Sequence, residues 1–267
     1  MGLRAIFFGG ITILATSLVK AHWINLNVSV YPEKPGAVLI SPTLMDVDEV
    51  QPFYQRKPTT ISQESAIKYK PRLYVDEGCH PYPVVQENGS LSEGMQWKNY
   101  FRPSCEGSPR GSQIYSRSDW YQGKWAMLYT WYLPMALDST AWFVDGHRHF
   151  WLWVVIWTDS PDPDDSTILA ASMSGFGDEI KKYAPLKSKY LIHDKTLKVK
   201  STESRIRKKH GLELTKRVGE FQDLITWEQL SDEARAALSN FHRLEKRANP
   251  PIQDKLFYEV LEKSYPF

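Results

Sequence analysis

The fold class of this chain depends on one stretch, His149 to Thr158, which reads HFWLWVVIWT. The run is apolar at nearly every position, and a polar turn that begins at Asp159 ends it. A short run with apolar residues on both faces predicts a central strand that is covered on both sides. A second aromatic-rich stretch, Gly123 to Leu133, predicts another strand, which ends at Pro134.

The remaining composition is that of a globular β-rich protein. The 267 residues are 42% hydrophobic and 13% aromatic, which excludes a wholly disordered chain. Helical patterns appear only near the C-terminus, where Ser231 precedes a helix over 234–238 and apolar residues recur over 252–263. Strands first and helices last predict a mainly β, α+β fold or a β-sandwich with peripheral helices.

The first 21 residues have the plan of a secretory signal peptide. A basic start is followed by an apolar run from Ala5 to Leu18 and by small residues around a cut after Ala21. The alternative, a membrane anchor, needs about 20 continuous apolar residues, and no other stretch is long enough for a span. Removal of residues 1–21 takes away two basic residues and lowers the net charge from +2 to zero, which gives no reason to expect nucleic acid. Residues 22–45 are predicted to be an N-terminal extension.

Secretion would expose the chain to disulfide formation and to N-glycosylation, which concern two cysteines and two asparagines. Cys79 and Cys105 are the only cysteines, and in an oxidising compartment we expect them to form one disulfide. Two free buried thiols are the alternative. Asn27 and Asn88 match the N-glycosylation pattern, and Asn88 stands beside Gly89 in what we expect to be an exposed turn.

Residues 178–220 are charged and polar, with thirteen Lys or Arg from Lys181 to Arg217. The cluster from Arg205 to His210 is compatible with a polyanion-binding patch. No aromatic residues are interleaved there to stack on bases. Because blocks of like charge usually stay in water, the pattern favours a solvated insert or loop.

The densest group of chemically active residues runs from Asp145 to His149. His147 and His149 are two apart, which places them on one face of a strand, and Asp138 and Asp145 are the nearest acids. No further ligand follows in the next four residues, so a structural pair of histidines is favoured over a metal site. The chain has no nucleophile elbow, zinc-protease motif or phosphate loop, so we expect no enzyme.

Two stretches resemble motifs of the necrosis- and ethylene-inducing-like proteins, the NLP family of microbial plant pathogens. GHRHFWL is similar to the family's heptapeptide GHRHDWE, and AMLYTWYLPMA to its undecapeptide AIMYSWYFPKD. The heptapeptide motif comprises Gly146, His147, Arg148, His149, Phe150, Trp151 and Leu152. The undecapeptide motif comprises Ala126, Met127, Leu128, Tyr129, Thr130, Trp131, Tyr132, Leu133, Pro134, Met135 and Ala136. Shorter stretches at 52–53, 70–71, 78–83, 111–115, 222–227 and 265–267 follow in family order, so the resemblance covers residues 46–267.

The resemblance implies a single NLP domain, a central β-sandwich flanked by helices and similar in shape to actinoporins and lectins. It implies that Cys79 and Cys105 pair. Toxic members bind a divalent ion, calcium or magnesium, and sphingolipid headgroups, and then damage dicot membranes. Fragments that span both motifs are recognised by plant immune receptors. We expect a monomer without a transmembrane segment.

This chain departs from the family at the ion ligands. The family holds its ion with an Asp before the heptapeptide, the first His of the heptapeptide, and the Asp and Glu within it. His147 matches the histidine and Asp138 is the candidate for the first Asp, but Phe150 and Leu152 occupy the other two positions. Loss of two carboxylates removes oxygen donors and the charge that offsets dehydration of a divalent cation. We therefore expect no metal cofactor.

The resulting hypothesis is a secreted, non-cytolytic effector of an oomycete or fungal plant pathogen, acting in the host apoplast. Its partner would be the plant cell surface, through an immune receptor or a sphingolipid headgroup. One alternative is a cytolysin that uses Trp142, Phe143, Trp151 and Trp153 at a lipid interface, although core packing is favoured for Trp151 and Trp153. The other is a sugar-binding module, by analogy of fold.

Overall fold

The structure is a computed structural model, and it describes residues 43–96, 104–140, 143–204, 209–244 and 248–267. At 137–140, 143–146 and 243 it describes the backbone alone. Several sequence predictions lie outside the described residues: the signal peptide at 1–21, Asn27, most of the extension at 22–45, Trp142 and the basic residues 205–208.

Six strands form the larger sheet. In spatial order they are β12 (Asp223–Thr226), β4 (Gln113–Tyr121), β5 (Lys124–Thr140), β6 (Phe143–Thr158), β7 (Ile168–Ser174) and β8 (Ile180–Tyr183). Neighbours are antiparallel except for β12, which runs parallel to β4. The long strands β5 and β6 lie in the middle, as the apolar runs predict.

A smaller sheet packs against the larger one. Its strands are β2 (Arg72–Val75), β9 (Leu191–Ile192), β10 (Thr196–Glu203) and β11 (His210–Leu214). Strand β10 pairs with β2 in parallel and with β9 and β11 antiparallel, and β11 contacts β5, β6 and β7. A short parallel pair, β1 (Leu44–Met45) and β3 (Leu91–Ser92), stands beside them.

Helices cover both faces of the larger sheet. They are α1 (Ile61–Lys68), α2 (Asp232–Ser239) and α3 (Asp254–Ser264), with 3-10 turns at Ser188–Tyr190, Trp227–Gln229 and Phe241–Arg243. On one face the Tyr129 hydroxyl donates to the Ala66 carbonyl of α1 at 2.8 Å. On the other, the Ser172 hydroxyl donates to the Ser264 carbonyl of α3 at 2.6 Å. The predicted mainly β, α+β fold is confirmed.

The prediction that a strand ends at Pro134 is wrong, because β5 continues to Thr140. Pro134 lies between the cross-strand pairs Leu133–Phe150 and Met135–Arg148. Its carbonyl accepts from the Met95 amide at 3.0 Å, so its backbone groups face away from β6. A proline is tolerated in a strand where the missing N–H is not needed by the ladder.

The prediction of a solvated insert at 178–220 is also wrong. The segment contains β8 to β11, and β10 is a buried strand whose side chains Leu197, Val199 and Ser201 are wholly inaccessible. Lys198 and Lys200 alternate with these buried residues, so the strand reads as a charged segment in the sequence. Lys200 forms ion pairs with Asp76 at 3.2 Å and with Glu213 at 3.3 Å, so charge of both signs is interleaved at the sheet surface.

The Cys79–Cys105 disulfide is formed, with a Cα–Cα distance of 4.8 Å. Asn88 is exposed in a turn, where its side-chain oxygen accepts from the Ser90 amide at 2.9 Å. Trp151 is buried in the core and Trp153 packs against it. Among the described residues, none of the helices has the length and apolar character needed to cross a bilayer.

Candidate functional site

The two motifs lie side by side, on β5 and β6. The ladder places Trp131 opposite Leu152, Leu133 opposite Phe150 and Ala136 opposite His147. The undecapeptide is almost entirely buried, from Ala126 to Ala136. A segment of each central strand therefore forms the site, which we call the motif region (residues 126–136 and 146–152).

The two positions at which the resemblance expects carboxylates carry packed hydrocarbon. Leu152 has no accessible surface, and its carbonyl accepts from the Thr130 hydroxyl at 2.8 Å. Phe150 is half-buried against the core. Its ring lies 5.9 Å from the ring of His147 and 6.1 Å from that of His210. Both side chains thus contribute to packing.

His149 belongs to the core. It is 4% exposed, its Nδ1 lies 2.7 Å from the Tyr132 hydroxyl, and its ring is 5.0 Å from that of Phe241. Burial, together with the nearby charge of Arg148 and His147, lowers the pKa of the His149 imidazole to about 4. The imidazole is therefore neutral at neutral pH and serves as a hydrogen-bonding partner for Tyr132.

His147 has different surroundings. It is half-buried, and its Nδ1 lies 3.3 Å from the carbonyl of Arg148. His149 adopts a φ of +62°, so the regular alternation of side chains is interrupted between the two histidines. The backbone of Asp138 pairs with Asp145, two residues from the Ala136–His147 pair.

The sequence did not indicate two further residues of this site, His210 and Gly78. His210 is 2% exposed, and its Nε2 lies 3.3 Å from a Glu203 carboxylate oxygen. Gly78 has a φ of +93°, and a Cβ at this position would come within 1.7 Å of the His210 ring. The sequence placed Gly78 in the family stretch 78–83 and His210 at the end of the basic cluster, but it did not indicate that the two meet. Strand pairing brings them together from distant parts of the chain.

The donor set at the matched positions does not suit a hard divalent ion. Calcium and magnesium prefer several oxygen ligands, whereas His147, Phe150 and Leu152 offer one imidazole and two hydrocarbon groups. In the part of the chain that the structure describes, no group of three or more His, Cys, Asp or Glu side chains is arranged to hold a metal.

The chain matches the family model described as necrosis inducing protein (NPP1) over residues 63–264. Among curated proteins it is similar to NLP effector protein 10 of Plasmopara viticola, with 61% identity over 100% of this chain and 99% of the relative. Both findings agree with the family that the motifs predicted.

Two solved structures share the fold. One is that of the non-toxic HaNLP3 protein, with 38% identity, a TM-score of 0.73, and coverage of 82% of this chain and 99% of that one. The other is NLPPya in complex with glucosamine, with 33% identity, a TM-score of 0.73, and coverage of 83% and 99%. This chain therefore belongs to the necrosis-inducing protein (NPP1) family, which includes the NLP effector proteins of oomycete plant pathogens.

Proposed function

We propose that this effector is secreted into the host apoplast, keeps the family fold, and does not lyse plant membranes by the ion-dependent route. One observation carries the proposal: the positions of two ion-binding carboxylates hold Phe150 and Leu152, and both pack into or against the core. An ion at this site would need oxygen donors where these side chains provide none.

The similarity to HaNLP3 supports the same conclusion, because that protein is described as non-toxic and shares 38% of its residues with this chain. We also propose that the protein acts by binding and not by catalysis, and that it needs no metal cofactor. Loss of the carboxylates leaves His147 as the matched ligand, with Asp138 as the other candidate.

Infiltration of the purified protein into dicot leaves at micromolar dose tests the proposal. We expect no necrosis, while a cytolytic relative infiltrated beside it kills the tissue. A parallel assay measures calcium and magnesium binding by calorimetry, and we expect no heat of binding. Rapid necrosis that a chelator prevents would contradict the proposal.

We further propose that plant immunity recognises the segment from Ala126 to Leu152 after the protein is unfolded or cleaved. Side chains such as Trp131, Tyr132 and Leu152 have no accessible surface, so a receptor cannot reach them in the folded domain. A synthetic peptide of residues 126–152 should trigger an immune response in leaf discs. The intact folded domain, with protease inhibitors present, should be weaker at equal dose, and an equal response would argue against release of the segment.

Binding of a sugar-bearing headgroup is a second candidate function. The NLPPya structures contain glucosamine in one case and mannosamine in another, and both share the fold of this chain. Vesicles with and without inositol-phosphoceramide, tested with and without chelator, distinguish the cases. Chelator-sensitive binding favours a cytolysin, and chelator-insensitive binding without leakage favours a sugar-binding module.

A further inference from the structure

A buried lysine on the smaller sheet has no partner for its charge. Lys198 lies on β10 between the core residues Leu197 and Val199, so its side chain points to the opposite, outer face of the sheet. It is 9% exposed. Within the part of the chain that the structure describes, its ammonium group forms no ion pair and donates no hydrogen bond. A buried ammonium group normally has a partner, because its removal from water is costly.

The neighbour of Lys198 on β2 is a second cation. The parallel ladder places Arg72 opposite Lys198, and Arg72 shares the outer face because Leu73 is buried. Its guanidinium lies 4.2 Å from the centre of the Phe221 ring, and its Nη1 donates to the Gly219 carbonyl at 3.4 Å. Its Nε is buried without a hydrogen-bond partner, and no carboxylate among the described residues pairs with it. We call Arg72 and Lys198 the cation pair.

Two carboxylates on the same face are engaged by other cations. Lys200 lies 3.2 Å from Asp76 and 3.3 Å from Glu213. Arg217 also pairs with Asp76, at 3.4 Å, and Lys181 with Glu213, at 3.3 Å. Three cations therefore share these two carboxylates, and the charge of the cation pair is not offset by them. Like charges that lie opposite each other on a ladder repel, so the cation pair favours an anionic occupant.

A hydroxyl group lies on the other side of Lys198. The Thr215 amide donates to the Lys198 carbonyl at 3.2 Å, which makes the two residues neighbours across the ladder. Thr215 is 8% exposed, and its hydroxyl oxygen accepts from the Arg217 amide at 3.1 Å. This contact uses an oxygen lone pair, so the hydroxyl proton is available to an anion. Two cationic groups and one hydroxyl donor thus belong to three adjacent chain segments.

The segment 215–221 holds these groups in place. It begins beside β10 at Thr215, and reciprocal backbone hydrogen bonds of 2.9 and 3.1 Å join Glu220 to Leu73 of β2. Its backbone passes so close to β2 that a Cβ at Gly219 would come within 2.1 Å of the Leu73 carbonyl carbon. Because Phe221 of this segment stacks on Arg72, the guanidinium is also fixed in position. A site that is ordered before its ligand arrives loses less entropy on binding.

We propose that the cation pair binds a dianionic phosphate group. The terminal nitrogens of Arg72 and the ammonium group of Lys198 would contact its oxygens, and the Thr215 hydroxyl would donate a further hydrogen bond. A dianion with several acceptor oxygens neutralises both cations, whereas one carboxylate neutralises only one of them. The proposal is independent of the function proposed for the motif region, to which none of these residues belongs.

Thermal unfolding of the disulfide-bonded protein at pH 7.5 tests this assignment, with calorimetry to measure the dissociation constant. Inorganic phosphate at about ten times that constant should raise the thermal midpoint by about 3–5 °C. Acetate at equal ionic strength should bind at least about fivefold more weakly, as expected when one charge contact worth about 1 kcal/mol is lost. Phosphate also stabilises proteins by its exclusion from their surface. Only the saturable part of the shift is therefore attributed to the site.

A second arm identifies the source of the phosphate group. It compares glycerol 1-phosphate with phosphatidylcholine vesicles that contain phosphatidic acid, at equal concentrations of phosphate. Tighter binding to the vesicles would assign the site to a lipid headgroup, and binding of glycerol 1-phosphate that is at least as tight would assign it to a soluble phosphate ester.

Lys198→Met removes the ammonium group and keeps an unbranched side chain. It should abolish the saturable response to phosphate. Without phosphate its midpoint should equal or exceed that of the natural protein, because a buried charge without a partner is gone. Lys200→Met is the contrasting variant on the same strand, and it should lower the midpoint because Lys200 has two carboxylate partners.

Arg72→Gln, at a half-buried position, should weaken phosphate binding at least about fivefold. Lys263→Met, an exposed lysine on α3, is the matched control and should bind phosphate as the natural protein does. If Lys198→Met does not fold, Arg72→Gln decides the question alone.

Three results would overturn the proposal. The first is a natural protein without a saturable response to phosphate. The second is acetate that binds as tightly as phosphate. The third is phosphate binding by Lys198→Met or by Arg72→Gln that is as tight as that of the natural protein.

Discussion

The motif region and a cleft beside β2 handle polar chemistry in opposite ways. In the motif region, the Phe150 and Leu152 side chains pack into or against the core, and His149 is a buried, neutral imidazole. The cleft beside β2, which we call the β2 cleft, has a volume of about 370 Å³ and is lined by residues from 73–75, 80–81, 106–112 and 218–222, among them the exposed Glu106 and Glu220. The first region is part of the core, and the second has charged residues at a recess.

The difference teaches that the strands that carry the family motifs are mainly a packing element, whereas the recess lies elsewhere in the chain. The strongest family resemblance falls on strands whose side chains are largely inaccessible. The cleft includes parts of the shorter family stretches at 78–83, 111–115 and 222–227, for which the sequence indicated no chemical role. Each prediction below perturbs one of the two regions and asks whether it behaves as packing or as a surface.

Leu152→Glu should have the largest effect. It places a carboxylate at a position without accessible surface, and an uncompensated buried charge costs about 3–5 kcal/mol. Phe150→Asp, at a half-buried position, should cost about 1–2 kcal/mol. Urea denaturation measures both. Leu152→Met is the volume-matched control, and similar costs for Leu152→Glu and Phe150→Asp would show that position 152 is not a core position.

Loss of the disulfide, which lies between two walls of the β2 cleft, should have the second-largest effect on stability. The bond links residues 26 apart in sequence. A disulfide that closes a loop of this size stabilises the folded state by about 3 kcal/mol, mainly because it restricts the unfolded chain. Cys79→Ala with Cys105→Ala should lower the free energy of unfolding by that amount. Addition of reductant to the natural protein should give a similar loss and leave the double variant unchanged. An effect below about 1 kcal/mol would mean that the bond is not needed for the fold.

The third prediction concerns pH and His149. The folded pKa is about 4, below the ordinary value of about 6.5, so the unfolded chain binds a proton that the folded chain rejects. Stability is therefore complete above pH 7 and falls as the pH drops from about 6.5 to 4, by up to about 3 kcal/mol. In His149→Gln this part of the pH dependence should disappear. Unfolding curves at several pH values compare the two, and parallel profiles would show that His149 is solvated.

Tyr132→Phe should have the smallest effect. The change removes the hydrogen bond of 2.7 Å to His149 and leaves the buried Nδ1 without its partner, at a cost of about 1–2 kcal/mol. Tyr74→Phe, at the cleft, is the control, and an equal cost there would mean that burial does not distinguish the two regions.

Local patterns predicted much of the fold. The apolar run at His149 to Thr158 gave β6 without its first six residues, and the capping serine at Ser231 gave α2. The two errors, the end of a strand at Pro134 and the solvated insert at 178–220, concern segments whose structure depends on contacts with other parts of the chain. Pro134 remains in β5 because Met95 uses its carbonyl, and the alternation of β10 was hidden among lysines.

The candidate site was predictable only in part. The placement of the two motifs on adjacent strands, and the apolar character of positions 150 and 152, follow from the order and identity of residues along the chain. The contact of Phe150 with His210, the approach of His210 to Gly78, and the four-segment β2 cleft do not. These depend on strand pairings between residues that are far apart in sequence, which no short-range periodicity encodes.

Two parallel pairings have a consequence for how the chain acquires its structure. Strand β4 pairs through Ile114 with Leu224, and β2 pairs through Leu73 with Val199, so each joins segments more than a hundred residues apart. Long-range parallel pairing raises the contact order and slows folding. Until synthesis reaches Thr226, β4 keeps an open edge, and such edges recruit other chains. A product truncated before this point is expected to aggregate, so the last fifty residues act as the closing step of biogenesis.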